Sequence, residues 1–420
     1  MARNLSPEQI PPGWTYQLLD KVTERCSGHT PSKSIPEYWN GGIKWISLAD
    51  TFRLDNGYVY ETDKEISHEG IKNSSAQLHP AGTVVLSRDA GIGKSGVMAE
   101  PMAVSQHFIA WKCDNQEKMN SWFLYNWLQL YKAEFERQAV GSTIKTIGLP
   151  FFKKLKVVVP PYEEQRKIAK ILFTWDKTIS TTERLIDNSK QQKKALMQQL
   201  LTGKKRLLDD SGKPFEGEWT QVHLEEACFV NPKKPPKPDD GLASFVPMDA
   251  VSEDTKLIKY EVKLYDEVSK GFTSFVNQDC LVAKITPCFE NGKGAFVDNL
   301  HNGIGFGSTE FHVLRSREGN CAKFIYYITQ TREFRVRGEM NMQGSAGQKR
   351  VTTDYLKLFN VNIPPTLLEQ QKVASVLDNA DKEIELLERQ LTDLKQEKKA
   401  LMQQLLTGKR RVKIDDKEVV

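Results

Sequence analysis

Asp-Ala-Gly-Ile-Gly-Lys-Ser at 89–95 has the ingredients of phosphate chemistry, glycines that let backbone N–H groups close in and a lysine to hold the charge. A nucleotide-binding P-loop also needs glycine five residues before Gly93, where this chain has Arg88, so nucleotide binding is not expected. Pro238-Asp239 with Glu261-Val-Lys263 could supply the acids and lysine of metal-assisted phosphodiester cleavage. The acid lies in a proline-rich loop, NPKKPPKPDDG, and the first half has no counterpart. In Asn/Asp-Pro-Pro-Tyr, the polar first residue accepts a hydrogen bond from an amino group about to be methylated. Val159-Pro-Pro-Tyr162 cannot do this, and Ile363-Pro-Pro-Thr366 reads as another strand end before a helix. The seven His show no paired metal spacing, the six Cys form no CxxC, and no nucleophile signature stands out. The expectation is a chain without a catalytic centre or a metal.

The chemistry that remains is recognition. Two loops, 137–146 and 337–350, pass through Gly-Ser and carry the side chains that read base edges and grip phosphates. They offer Arg137, Ser142, Thr143 and Lys145 in one half, and Arg337, Gln343, Ser345, Gln348, Lys349 and Arg350 in the other. Gly-Lys turns expected at hairpin tips add Lys94 and Lys293, with Arg88, Ser95 and Lys284 beside them. Each loop alone could be a solvated turn; recurrence in both halves favours a shared use.

What must position these loops is a duplicated scaffold. KKALMQQLLTGK at 193–204 recurs letter for letter at 398–409, an offset of 205. The same offset carries Trp14-Thr15 to Trp219-Thr220 and Glu164-Gln165 to Glu369-Gln370. Each repeat ends in a heptad-patterned stretch between a Pro pair and Gly203 or Gly408, the punctuation of a long helix. One seam runs through Val373, Leu377, Ala380, Ile384, Leu387, Leu391, Leu394, Leu401 and Leu405, interrupted at Lys398. The other runs through Ile168, Leu172, Trp175, Ile179, Ile186, Leu196 and Leu200, with Thr182, Ser189 and Lys193 making its middle polar. A whole mixed domain separates the two helices, so antiparallel pairing with one domain at each end is the natural geometry.

The globular parts alternate short strands (45–48, 83–87, 107–111, 156–159; 245–248, 280–285, 311–314, 360–363) with helices at 121–137 and 322–337. The fold expected is α+β: mixed α/β domains at 1–160 and 219–364, helices at 161–204 and 365–409, a linker at 205–218 and a tail at 410–420. A pseudo-two-fold duplication relates the halves. The chain has 420 residues, 39% hydrophobic and 9% aromatic, which excludes wholesale disorder. Its net charge of +5 hints only weakly at an acidic partner. It has no apolar run of membrane-spanning length and no apolar leader, so a cytoplasmic location is expected.

The duplicated layout, PP-x-x-EQ (160–165) or PP-x-x-x-EQ (364–370) leading into a long helix, and the LMQQLLTGK ending resemble the specificity subunits of Type I restriction-modification enzymes. The resemblance covers essentially the whole chain. It implies two target-recognition domains, each reading half of an asymmetric bipartite site in double-stranded DNA, held apart by an antiparallel coiled coil. It implies no catalysis and no cofactor on this chain. Two modification subunits would bind S-adenosylmethionine and methylate adenine, and restriction subunits would bring ATP and Mg²⁺ chemistry. Alternatives are a specificity subunit of a Type II-like modification system, an autonomous DNA methyltransferase or nuclease, and a coiled-coil scaffold that never touches bases.

Overall fold

The computed structural model describes residues 7–113, 117–141, 145–345 and 347–414. The chain forms two compact units, one from 1–183 with 389–420 and the other from 184–388.

In the first unit the strands are β1 (Thr15–Leu18), β2 (Glu24–Ser27), β3 (Trp39–Ile46), β4 (Tyr58–Val59) and β5 (Lys64–Ile66). After α1 (His68–Lys72) come β6 (Val84–Ser87), β7 (Ser95–Met98), β8 (Ala103–Val104) and β9 (Phe108–Lys112). Helices α2 (Ser121–Leu130), α3 (Lys132–Gln138) and α4 (Leu149–Lys153) precede β10 (Lys156–Val159) and the long α5 (Tyr162–Leu200). The sheets run β2-β9-β6-β7-β4, β5-β3-β8 and β1-β10. The core gathers the inner faces of β6 and β9, the aromatic side of α2, and Ile168 and Leu172 from the start of α5.

The second unit has β11 (Thr220–His223), α6 (Leu224–Ala227), β12 (Cys228–Val230), β13 (Leu242–Val246) and β14 (Glu261–Leu264). Next come α7 (Tyr265–Val268), β15 (Thr273–Val276), β16 (Cys280–Ala283), β17 (Gly294–Phe296), β18 (Ile304–Gly307) and β19 (Phe311–Ser316). Helices α8 (Ala322–Thr329), α9 (Arg332–Met340) and α10 (Thr353–Lys357) lead to β20 (Asn360–Ile363) and the long α11 (Leu367–Leu405). Its sheets run β12-β19-β16-β17, β14-β13-β18-β15 and β11-β20.

Several elements differ from expectation for local reasons. The single helices expected at 121–137 and 322–337 are each broken in two. Tyr131 leaves helical geometry, and the Thr331 hydroxyl accepts from the Phe334 N–H and starts a new helix. The strand expected at 45–48 begins six residues earlier and stops at Ile46, because Ser47 and Asp50 cap each other and open a 3₁₀ turn. The strand expected at 245–248 ends at Val246, ahead of Pro247.

Each long helix has 39 residues, about 58 Å at 1.5 Å per residue. Gly203 and Gly408, at φ +69° and +70°, turn the chain out of them. In the first unit α5 residues face the α11 half of the chain through Glu164–Arg411, Asp176–Lys398 and Glu183–Lys395. In the second the pairs are Arg206–Glu369, Lys193–Asp381 and Lys190–Glu388. In both units numbers fall on one helix as they rise on the other. The lysines that interrupt the heptads, Lys193 and Lys398, are thus the cations of two matched ion pairs, at 2.6 and 2.5 Å. Ile168, Leu172, Ile186, Leu200, Val373, Leu377, Ile384 and Leu405 are buried. Trp175, Ile179, Leu196, Ala380, Leu387, Leu391, Leu394 and Leu401 are half-buried.

Candidate nucleic-acid interface

Both loops singled out by sequence are flaps closed by a β-bridge at the root. In the first, Val140 and Thr146 exchange backbone hydrogen bonds at 3.0 Å each way. In the second, Gln343 and Arg350 do so at 2.9 and 2.8 Å. Just inside each root a glycine adopts the same unusual backbone, Gly141 at φ +131° and Gly344 at φ +129°, which side chains at those positions would strain. Below the root the wiring is again shared. Ile147 N–H donates to Arg88 O and Arg88 N–H to His107 O, just as Val351 N–H donates to Lys284 O and Lys284 N–H to Glu310 O. Arg88 and Lys284 are therefore structural equivalents, although the 205-residue offset carries Arg88 to Lys293 instead.

Side chains brace these roots differently. In the first half Asp89 accepts from Thr146 and pairs with His107, with Arg88 beside it at 3.8 Å. In the second, Arg350 grips Glu310 with two guanidinium nitrogens at 2.9–3.2 Å. His312 Nε2 lies 2.8 Å from Val351 O, and its Nδ1 meets the Asn231 amide. The Arg350 hydrogen bond holds the Glu310 carboxyl below its ordinary pKa, and burial pushes the His312 imidazole below its own. Both shifts are depressions on folding, so their stabilisation is present above the unfolded values and is lost as pH falls through the folded ones. The second flap root should therefore loosen progressively below about pH 6.5, His312 first and Glu310 below about pH 4.5. Amide-exchange protection factors at Gln343, Arg350 and Val351 measure this; protection flat from pH 7 to 4 would refute it.

The expected contact residues fall into two groups. Lys145 stands exposed on the first flap, and Gln343, Ser345, Gln348 and Lys349 stand exposed on the second. Arg137 and Arg337 are exposed on the helices that lead into the flaps, each paired with a glutamate one turn back, Glu134 and Glu333. Ser142 and Thr143 lie outside the described residues. The second group is turned to the scaffold. Ser95 is a correction: it is fully buried in β7, where its hydroxyl accepts from Gln129 Nε2 at 2.8 Å. Lys94 and Lys293 do sit in hairpins, β6–β7 and β16–β17, but their amines reach back to Thr51 O (3.2 Å) and Met248 O (3.5 Å). Arg88 and Lys284 are half-buried at the roots, and Arg350 is held by Glu310.

The decoys have structural uses. Val159 is buried in β10, and the carbonyl of Pro160 accepts from Gln165. Glu261 and Lys263 pair with each other at 3.0 Å. Among the described residues, no group of three or more His, Cys, Asp or Glu is placed to hold a metal ion. No helix among them is long and apolar enough to cross a membrane.

Two stretches of the chain, 11–190 and 217–396, match the family described as the Type I restriction modification DNA specificity domain. The chain belongs to that family. A Type I specificity subunit from Methanocaldococcus jannaschii, MjaVIII, is 25% identical over 96% of this chain and 95% of its own length. The Escherichia coli EcoAI specificity subunit is 38% identical over 172 residues, which cover 40% of this chain and 29% of that protein. The matched stretch thus spans less than a third of the length of that protein and of the E. coli EcoEI specificity subunit. The fold is shared with the S subunit of the Type I system of M. genitalium, at TM-score 0.55 and 13% identity over 96% of this chain and 97% of that one. A chain from a structure addressing assembly and conformational transition of the Type I system aligns at TM-score 0.57 and 15% identity, over 96% and 99%.

The helix-leading Glu-Gln pair of each repeat has a role that sequence reasoning did not assign. Glu164 is buried and accepts from Trp14 Nε1 (3.0 Å) and from two nitrogens of Arg411 (2.6 and 2.7 Å). Glu369 repeats this with Trp219 (3.2 Å) and Arg206 (2.9 and 2.6 Å). Gln165 and Gln370 accept from the backbone N–H groups of Asn120 and Cys321, at 2.8 Å each. Each pair fastens a globular domain to its long helix. The signal was available: the 205-residue offset also carries Arg206 to Arg411.

Proposed function

We propose that the chain is the sequence-specificity subunit of a Type I restriction-modification complex. Its domains at 1–160 and 219–364 each read one half of an asymmetric, bipartite site in double-stranded DNA. The helices at 161–204 and 365–409 act as an antiparallel coiled-coil spacer, with 205–218 as linker and 410–420 as tail. The observation that carries this reading is the pair of flaps: roots wired alike in two otherwise divergent domains, tips of different length and chemistry. A shared mount with two unlike polar tips is what reading two unlike half-sites requires. The exposed flap residues are the candidates for base and phosphate contact, and the root residues position them.

In this reading the chain is cytoplasmic, has no catalytic activity and carries no cofactor. Its helices dock two modification subunits that bind S-adenosylmethionine and methylate adenine, and restriction subunits supply the ATP- and Mg²⁺-dependent steps. The test is to exchange residues 219–364 for the same region of a relative and map methylation in the presence of the modification subunits. One half of the methylated site should change while the other half and the gap persist. A change in both halves, or in neither, would refute the two-reader assignment.

A further inference from the structure

The edge of the second unit's β14-β13-β18-β15 sheet bears on self-association, independently of the DNA-reading role. Among the described residues, strand β14 is an edge: it pairs with β13 on one side only, with Leu264 opposite Leu242, Lys263 opposite Ala243, Val262 opposite Ser244 and Glu261 opposite Phe245. The Tyr265 N–H donates to Gly241 O in the same register, so the bonds to β13 fall at 265, 263 and 261. By alternation, the N–H and C=O groups of Val262 and Leu264 point to the open side. The side chains at 260, 262 and 264 are large and apolar, and 38–53% exposed.

Edge strands are normally blunted by charge, and Lys263 and Glu261 do stand here. Their placement, however, is self-complementary. If a second copy of Tyr260–Leu264 is laid antiparallel with the two-fold axis through Val262, Val262 faces Val262 as a hydrogen-bonded pair. Tyr260 then faces Leu264, also as a hydrogen-bonded pair. Between them Glu261 of each copy faces Lys263 of the other. The register that uses the free backbone groups is thus the one that matches apolar with apolar and acid with base. A shift by one residue would turn the outward backbone groups out of phase, and a shift of the axis to Glu261 or Lys263 would bring like charges together.

We propose that β14 is a homotypic docking edge, through which two copies of this chain join their four-stranded sheets into one antiparallel sheet. The edge is short, below the ~1,200 Å² typical of stable complexes, so association is expected in the range of ~10–100 μM. Sedimentation of the full chain over rising concentration should show a reversible monomer–dimer equilibrium. The charge variants give the decisive comparison. Glu261→Lys or Lys263→Glu alone places like charges opposite each other and should weaken association about 10-fold. Mixing the two single variants should restore it as a heterodimer, and the double swap Glu261→Lys/Lys263→Glu should restore the homodimer. A chain that stays monomeric through ~200 μM would overturn the proposal, as would a dimer indifferent to the single substitutions or not rescued by the mixture.

Discussion

On the proposed function, a chain carrying Gly344→Ala, assayed together with modification subunits, is expected to bind its DNA site ~10–100-fold more weakly, the equivalent of one lost bidentate base contact. Gly344 sits at φ +129°, and a Cβ there would come within 2.8 Å of Gln348 O, a backbone atom of the same flap. Neither obstacle can be relieved by a side-chain rotation, so the flap must open and the exposed Ser345, Gln348 and Lys349 must move. The Gln343–Arg350 bridge and the Arg350–Glu310 pair lie at the root and hold the fold beneath, so the protein should remain folded while the loss falls on a single half-site. Gly141→Ala, at φ +131°, should produce the mirror result on the other half-site. Affinity for duplexes mutated in one half at a time separates the outcomes. Equal loss on both half-sites from either substitution would contradict the assignment of one flap to each.

Glu369→Ala should be far more costly to stability than its single side chain suggests. The carboxylate is fully buried and takes a two-point hydrogen bond from Arg206 and a third bond from Trp219. Removing it leaves a partly buried guanidinium and an indole N–H without their acceptor. Breaking such a pair from one side costs about 3–5 kcal/mol, which corresponds to a fall in Tm of roughly 6–20 °C for a unit of this size. Glu164→Ala should do the same through Arg411 and Trp14. Because the two nodes lie in different compact units, calorimetry combined with amide exchange should show each substitution weakening its own unit first. A shift below about 1 °C would mean the node is dispensable.

The long helices were legible in the sequence because a heptad pattern held over about 39 residues has few competing explanations. The closing strands β10 and β20 were legible too, since each stops at a Pro pair. Strands of two or three residues, such as β4, β5 and β8, were not, because they hold too few residues for alternation to show. Position misled where local chemistry looked sufficient. A serine after Gly-Lys reads as an available hydroxyl, yet the hairpin carries Ser95 into β7 and burial follows from the strand. Lys193 and Lys398 looked like interruptions because their acids, Asp381 and Asp176, lie more than 180 residues away. The flaps were found by their composition, but their roots were not, since main-chain pairing between residues as unlike as Gln343 and Arg350 leaves no trace in side-chain types.

The pairing of helix ends with distant cores sets an order of events during synthesis. The second unit draws on one continuous stretch, 184–388, whereas the first needs residues 389–411 to supply Met402, Leu405, Leu406 and Arg411. At roughly 5–20 residues per second, a ribosome takes about ten to fifty seconds to travel from the end of the first stretch to that final segment. During that interval the module translated first stands with an unfilled apolar seat around Ile168 and Leu172, while the one translated second gains its last piece at residue 388, just before that final segment is made. The earlier-born half is therefore the last to mature, and it is the half in which a nascent-chain chaperone would find its longest-lived target.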